Sequence, residues 1–342
     1  MMERRRHAAA AVVLLPAAGL LLSGCDRKQN ALAPESHSSK DIASLFWWMM
    51  GGAWLGLALV VALLVLAWRL GNRRGIGGDT AGDKPGEKAA WYVVVGAGIA
   101  MPIIVIAILF VIANLFVIRT TEAPASNATR LTVLVVGHQW WWEVRYPGTN
   151  VVTANEIHIP VRTPVRLEVR TADVIHSFWV PRLNRTIDAI PGRTNAIELY
   201  ADTSGRYRGQ CDEFCGLQHA HMAFYVFADP PSVYRRWLTA QEKPAAAPVR
   251  GQAKAGEAAF MSGACSSCHA IRGTSANADV GPDLTHVASR TTLGALAVPN
   301  TRTDLAQWIV DSQHAKPGND MPDLRLSAAE LRAIVAYLQG LR

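Results

Sequence analysis

The chain has 342 residues, half of them apolar, with a formal net charge of +7 and a mean hydropathy of +0.12; part of that apolar content is therefore expected in a membrane rather than in a core. Lys and Arg are spread thinly, without a long basic run or an RNA-binding signature, which excludes nucleic acid as the expected partner. The five cysteines fall as Cys25, the pair Cys211 and Cys215, and the pair Cys265 and Cys268.

At the N-terminus Arg4, Arg5 and Arg6 precede an apolar run from Ala8 to Leu22 that is too short to span a bilayer and reads as an export signal. It ends in Leu22-Ser23-Gly24-Cys25, which resembles a bacterial lipobox. A lipoprotein-type signal peptide is thus expected over 1–24, with Cys25 acylated; the alternative is an ordinary signal ending near a Cys. After an outward leader at 25–45 the chain carries no charge from Ile42 to Trp68, nor from Ala89 to Ile118. Each run exceeds the roughly 20 residues needed to cross the hydrocarbon layer, and a hairpin of transmembrane helices is expected at 46–68 and 91–118. In the loop 69–90, Arg69, Arg73, Arg74, Lys84 and Lys88 outnumber Asp79, Asp83 and Glu87, placing it on the cytoplasmic side and both helix ends outside.

Beyond Arg119 the texture changes to short alternating or β-branched runs, Leu131 to Val136, Glu156 to Pro160, Val165 to Arg170 and Ala196 to Tyr200. Turns such as Pro147-Gly148 and Pro191-Gly192 separate them. An all-β sandwich or barrel is expected over 126–240. The Pro- and Ala-rich stretch 241–251 reads as a linker that allows movement. Helical spacing returns in a small all-α domain over 252–342, notably at Asp304 to Val310 and Ser327 to Leu338, where Ser327 and Glu330 form a capping-box pattern.

Within the β region, Cys211, Cys215, His219 and Met222 follow one another at offsets of four, four and three, a compact set of soft and borderline ligands suited to copper. His176 is a further imidazole upstream. Three other readings stay open on spacing alone: a Cys211–Cys215 disulfide in an oxidising compartment, a zinc site completed by His219 and His221, and Met222 as core. Near the C-terminus, Cys265-Ser266-Ser267-Cys268-His269 is the pattern for covalent haem c, two thioether bonds and a proximal imidazole. Met321 is the methionine downstream of it and the expected second axial ligand, with His314 as its rival.

Ordered motifs from Phe46 to Leu238 carry a resemblance to subunit II of cytochrome c oxidases. They are Gly137-His138-Gln139-Trp140-Trp141-Trp142, Asp173 to Trp179, Val180-Pro181, Asp188 to Arg193 and the cysteine loop. The resemblance implies a cupredoxin barrel in which Cys211 and Cys215 bridge two coppers of a CuA centre. His176 and His219 would each bind one copper, and Met222 and the carbonyl of Glu213 would be weak axial ligands. It further implies that the Glu213 carboxylate reaches a Mg ion at the contact with subunit I, and that Trp140 is the electron entry point while Trp141 and Trp142 pack. Asp212, Trp141 and Thr186 depart from the family's usual Ser, Tyr and Lys, and none of these removes a ligand. Residues 252–341, with Gly281-Pro282-Asp283-Leu284 and the final helix, resemble class I cytochrome c, in which His286 and His314 would make surface or propionate hydrogen bonds.

Together these resemblances imply a caa-type oxidase subunit of the bacterial cell membrane, multi-pass, with its copper and haem domains on the periplasmic side. It would take electrons from cytochrome c or a quinol–cytochrome c reductase and pass them to subunit I, where oxygen is reduced with proton translocation. A standalone electron carrier, and a component of a nitric oxide or nitrous oxide reductase, are the alternatives.

Overall fold

The computed structural model describes residues 29–73, 87–125 and 131–342; Cys25, the export signal and residues 74–86 of the interhelical loop lie outside them. Helix α1 spans His37–Arg73, beginning before the uncharged run. Ser36 caps it, its Oγ accepting from the Ser39 amide at 3.0 Å. The first turn packs on the β domain rather than on lipid: Ser39 Oγ donates to Arg182 O at 2.8 Å and Lys40 pairs with Asp202 at 2.7 Å. Helix α2 runs through 87–121, with wider π turns at Gly96–Ala100 and Ala113–Ile118. The first lies just ahead of Pro102, which has no N–H to offer the ladder. Within these helices His37–Arg69 and Trp91–Leu115 are long and apolar enough to cross a membrane, and the rest of the described protein leaves them uncovered.

Ten strands form the β domain: β1 Thr132–His138, β2 Trp141–Arg145, β3 Val152–Ala154, β4 Glu156–Pro160, β5 Val165–Thr171, β6 His176–Trp179, β7 Ile187–Ala189, β8 Asn195–Leu199, β9 Gly205–Cys211 and β10 Ala223–Asp229. They pair in two five-stranded sheets, ordered β3-β2-β1-β5-β8 and β4-β10-β9-β6-β7. The β1–β5 and β4–β10 pairs are parallel. The alternation read in the sequence does the packing: Val133 and Val135 of β1, Leu167 and Val169 of β5 and Ile157 and Ile159 of β4 are fully buried between the sheets. Gly148 and Gly192 take the positive φ their turns need. A helix that the strand pattern did not announce, α3 Pro231–Gln241, follows β10 with Pro at its start.

The α domain contains α4 Gly251–Ser262, β11 Thr292–Leu293, β12 Val298–Pro299, α5 Arg302–Val310, α6 Ser312–Ala315 and α7 Ala328–Leu338. Phe260 of α4 meets Tyr337 of α7 edge to face, ring centres 5.9 Å apart, among Ile271, Leu305, Ile309 and Ile334. The capping box on α7 is complete, with Ser327 and Glu330 each bonding the other's amide. The connecting segment is bonded to the α domain over its first residues. Arg272 binds the carbonyls of Gln241 and Lys243, the Ala245 amide donates to Arg272 O at 2.9 Å, and His286 Nε2 stands 2.9 Å from Lys243 O. His286, expected to make a surface or propionate hydrogen bond, is buried against this segment. The two domains also bond directly, Glu156 Oε1 accepting from the Thr291 amide at 2.7 Å.

Candidate functional site

Strand register builds the first constellation. Phe178 of β6 lies opposite Cys211 of β9, which sets His176, two residues earlier, beside the end of β9. From Cys211 the chain loops out and returns at Met222, whose carbonyl accepts from the Cys211 amide at 2.9 Å. The ring of His176 lies against Gly137, where any Cβ would come 2.7 Å from its Cδ2; glycine is what admits the imidazole. His176 Nδ1 is 3.8 Å from Cys211 Sγ, and His219 Nδ1 is 3.6 Å from Cys215 Sγ. Met222 Sδ is 3.8 Å from Cys215 Sγ, and the Glu213 carbonyl is 3.2 Å from Cys211 Sγ. All six predicted members thus converge, while the Glu213 side chain points to solvent.

The donor set discriminates among the open readings. The two sulfurs are 3.8 Å apart, far beyond the ~2.05 Å of a disulfide. His221 does not join them: it is exposed and its Nδ1 is 2.7 Å from Gln218 Oε1. Met222 is fully buried, yet its sulfur faces a thiol. Ligand atoms of His176, Cys211 and Cys215 all lie within 4.8 Å of one another, and His219 falls outside that group. One imidazole therefore stands beside each sulfur, His176 by Cys211 and His219 by Cys215. Two sulfurs about 2.3 Å from a shared tetrahedral metal stand roughly 3.8 Å apart, a spacing that suits one metal or two; the separate imidazole beside each sulfur is what fits a binuclear thiolate-bridged centre.

A metal needs its thiols and imidazoles deprotonated, and of the two thiols only Cys211 is held ready in that form. The hydrogen bond with Cys215 holds the Cys211 thiol down to about 4 against the effect of burial, helped by His176; the Cys215 thiol is pushed up by the same pairing and by burial. Burial disfavours charge on His176, but its hydrogen bonds with Cys211 and Asp173 raise its pKa overall. Asp173 orients that ring, its Oδ1 lying 2.7 Å from His176 Nε2. Spacing alone did not assign Asp173 a part.

The aromatic run divides its work. Trp142 is fully buried against Phe178 and Phe224, as expected. Trp140 donates from Nε1 to the Cys215 carbonyl at 3.0 Å. Trp141 stacks on His138, ring centres 4.3 Å apart, and with Trp140 lines a cavity that extends into the α domain.

That cavity is walled by Cys265, Cys268, His269 and Met321, which bring the haem-attachment motif and its expected axial partner together. His269 Nδ1 donates to the Pro282 carbonyl at 2.7 Å, leaving Nε2 as the free ring nitrogen. Burial lowers its pKa and keeps the ring neutral. A Cβ at Gly281 would lie 2.6 Å from His269 Cε1, so glycine leaves room for the ring. His314, the rival, is exposed at the end of α6 and does not line the cavity. Thiols for covalent attachment, a tautomer-fixed imidazole and a thioether in one apolar cavity fit haem c.

At the seam between the domains, Lys316 is 3% exposed. Its ammonium donates to the carbonyls of Trp140, of His221 at 2.9 Å and of Gly294 at 3.2 Å.

Comparison with known proteins finds likenesses over both domains. Residues 149–228 match the family described as cytochrome C oxidase subunit II, periplasmic domain, and residues 253–342 match cytochrome c. Cytochrome c oxidase subunit 2 of Alkalihalophilus pseudofirmus is 34% identical over 246 residues, covering 71% of each chain. Its counterpart in Bacillus subtilis is 28% identical over 259 residues, covering 71% of this chain and 72% of the relative. Among solved structures, the periplasmic domain of subunit II of cytochrome oxidase of Bradyrhizobium japonicum is 32% identical, covering 33% of this chain and 94% of that one, with a TM-score of 0.32.

Proposed function

The chain belongs to the cytochrome c oxidase subunit 2 family, with a cytochrome c domain fused after it as in caa-type oxidases, and from that premise we propose that it carries electrons through a haem c and a CuA centre to subunit I. It is a membrane-anchored subunit of a haem–copper oxidase whose folded domains are periplasmic. The observation that carries the finer reading is the facing of the two constellations, with Trp140 and Trp141 lining the Cys265–His269 cavity and Trp140 bonded to Cys215.

Cys211 and Cys215 would hold the two coppers jointly, with His176, His219, Met222 and the Glu213 carbonyl completing the set. Cys265, Cys268, His269 and Met321 would hold haem c. Bound there, these groups supply one-electron carriage. The protein's own part is to keep the ligands still: Asp173 fixes His176, Pro282 fixes His269, and the buried β9–β6 register fixes the cysteine loop. The Trp140 indole bridges the aromatic loop to a ligand's main chain, which suits it as the place where electrons enter the β domain. The exposed Glu213 carboxylate is free to meet a Mg ion at subunit I. Both apolar helices would cross the membrane, with Cys25 lipidated outside. Oxygen reduction and any proton translocation belong to the complex, and the donor is a cytochrome c or a quinol–cytochrome c reductase.

Metal and haem analysis with visible and electron paramagnetic resonance spectra of the purified chain tests this. Two coppers with a mixed-valence signal and one haem c are expected, with the signal lost in Cys211→Ser and kept in His221→Ala. Zinc in place of copper, or a signal indifferent to Cys211, would overturn the copper assignment.

A further inference from the structure

We propose that Lys316 is the positioning residue that locks the α domain onto the β domain with the haem cavity against Trp140; this rests on the electron-transfer reading above.

Three features single out Lys316. Lysine is rarely buried without a carboxylate, because removing an ammonium from water is costly, and among the described residues Lys316 forms no ion pair. What retains it is hydrogen bonding. An ammonium carries three N–H donors and no acceptor, and three carbonyls converge on this one.

The identity of the carbonyls gives the contact its meaning. Trp140 belongs to the aromatic loop that reaches Cys215. His221 sits between the predicted ligands His219 and Met222. Gly294 belongs to the wall of the haem cavity. One side chain therefore joins the aromatic loop, the cysteine loop and the haem pocket.

Lys316 is also built into the segment that carries Met321. Asn319 Nδ2 donates to Lys316 O at 2.7 Å, and Asn319 Oδ1 accepts from the Met321 amide at 2.9 Å. Neighbouring contacts lie along the same seam: Gln218 Nε2 donates to Pro317 O, and Gly318 faces Leu217. Positioning the Lys316 ammonium thus positions the Met321 segment relative to Trp140. Since electron tunnelling falls steeply with separation, a lost lock should slow transfer while leaving each centre intact.

The test uses the full chain in detergent, with and without its metals. Lys316→Met keeps the length and removes all three donors. The expected result is amide exchange at Thr291, whose N–H bonds across the seam to Glu156, at least ten-fold faster than in the parent. In the loaded protein, haem-to-copper transfer after flash reduction should be at least ten-fold slower, with both midpoint potentials unchanged. Lys254→Met, on the exposed face of α4, should change neither.

Unchanged exchange together with unchanged transfer would overturn the proposal, and so would slower transfer accompanied by shifted potentials, the sign of a merely structural role. Lys316→Arg guards against a misfolded Met variant: it keeps the charge, but a planar fork does not fit three converging carbonyls. Parental exchange and rate in a folded Lys316→Arg protein would equally overturn it. A wild-type chain that binds no copper would sink the reading of the preceding section, and the exchange comparison would still decide for or against Lys316.

Discussion

Asp173 holds two groups at once: Oδ1 meets His176 Nε2, and Oδ2 accepts from the Gln139 amide at 2.7 Å. Burial works against its charge, yet the hydrogen bonds of His176 and of the Gln139 and Val174 amides lower its pKa. The carboxylate is thereby available to orient the ring at neutral pH. Removing such an outer partner commonly costs about 10–100-fold in metal affinity, so Asp173→Asn should weaken copper binding by that order in a chelator competition, with the β fold retained. The thiol pair offers a second measurement. In the metal-free protein the hydrogen bond with Cys215 holds the Cys211 thiol well below the ordinary thiol range. One thiolate per chain should therefore persist in the ultraviolet spectrum at neutral pH and be lost only as pH falls well into the acid range, and Cys211→Ser should abolish it. At this scale the sequence shows ligand types and spacing but not approach. His221 looked as eligible as His176, and only the antiparallel pairing of β6 with β9 brings a residue 35 positions away against Cys211.

The helices and strands were legible to the degree that one periodicity governed each. β4 spans Glu156–Pro160 and β5 Val165–Thr171, close to the runs read for them: β5 buries alternate residues, and β4, buried on both faces, keeps Ile157 and Ile159 in the core. α3 escaped because its neighbours read as strands and its helix signal is short, Pro231 being its main mark. α1 begins at His37 rather than within the apolar run because Ser36 caps it and Lys40 bonds to the β domain, contacts invisible to a hydropathy scan. The α7 cap was visible, since it needs only Ser327 and Glu330 three residues apart. α7 supplies Ile334 and Leu338 to the haem cavity, so its cap bears on that wall. Ser327→Ala should cost about 1 kcal/mol and lower the α domain's melting temperature by roughly 4–8 °C, read by scanning calorimetry of the full chain. The hydrogen bonds with Ser327 also hold the Glu330 carboxyl below its ordinary value. Its contribution is thus present at neutral pH and fades as pH falls through that lowered pKa.

For the whole molecule, tethering a donor domain beside its acceptor raises effective concentration only as far as the connection and the seam permit. Composition made 241–251 a mobile linker, because Pro and Ala offer no hint of a distant partner. The contacts that hold the domains join residues far apart in the chain, Lys316 with Trp140 across 176 positions and Thr291 with Glu156 across 135, and no local pattern records such pairs. Arg272 is the hub of the connection. Its guanidinium binds the carbonyls of Gln241 and Lys243 at the exit from α3 and that of Asn150 in the β domain, while its own carbonyl receives the Ala245 amide. Val249, further along, is 90% exposed, so wild-type cleavage by a broad-specificity protease should fall around it, with 242–245 protected. Hydrogen bonds from a charged donor contribute about 1.5–3 kcal/mol each, and water replaces part of that when the segment opens. Loss of the set in Arg272→Ala should still raise the open population by at least about ten-fold, seen as cleavage that extends into 242–245 and proceeds that much faster under conditions where opening precedes cutting. Cleavage at the wild-type rate and positions would show that the segment owes its order to the docked domains and not to Arg272. In that case the Lys316 seam and the Glu156–Thr291 bond would have to hold the cavity to Trp140.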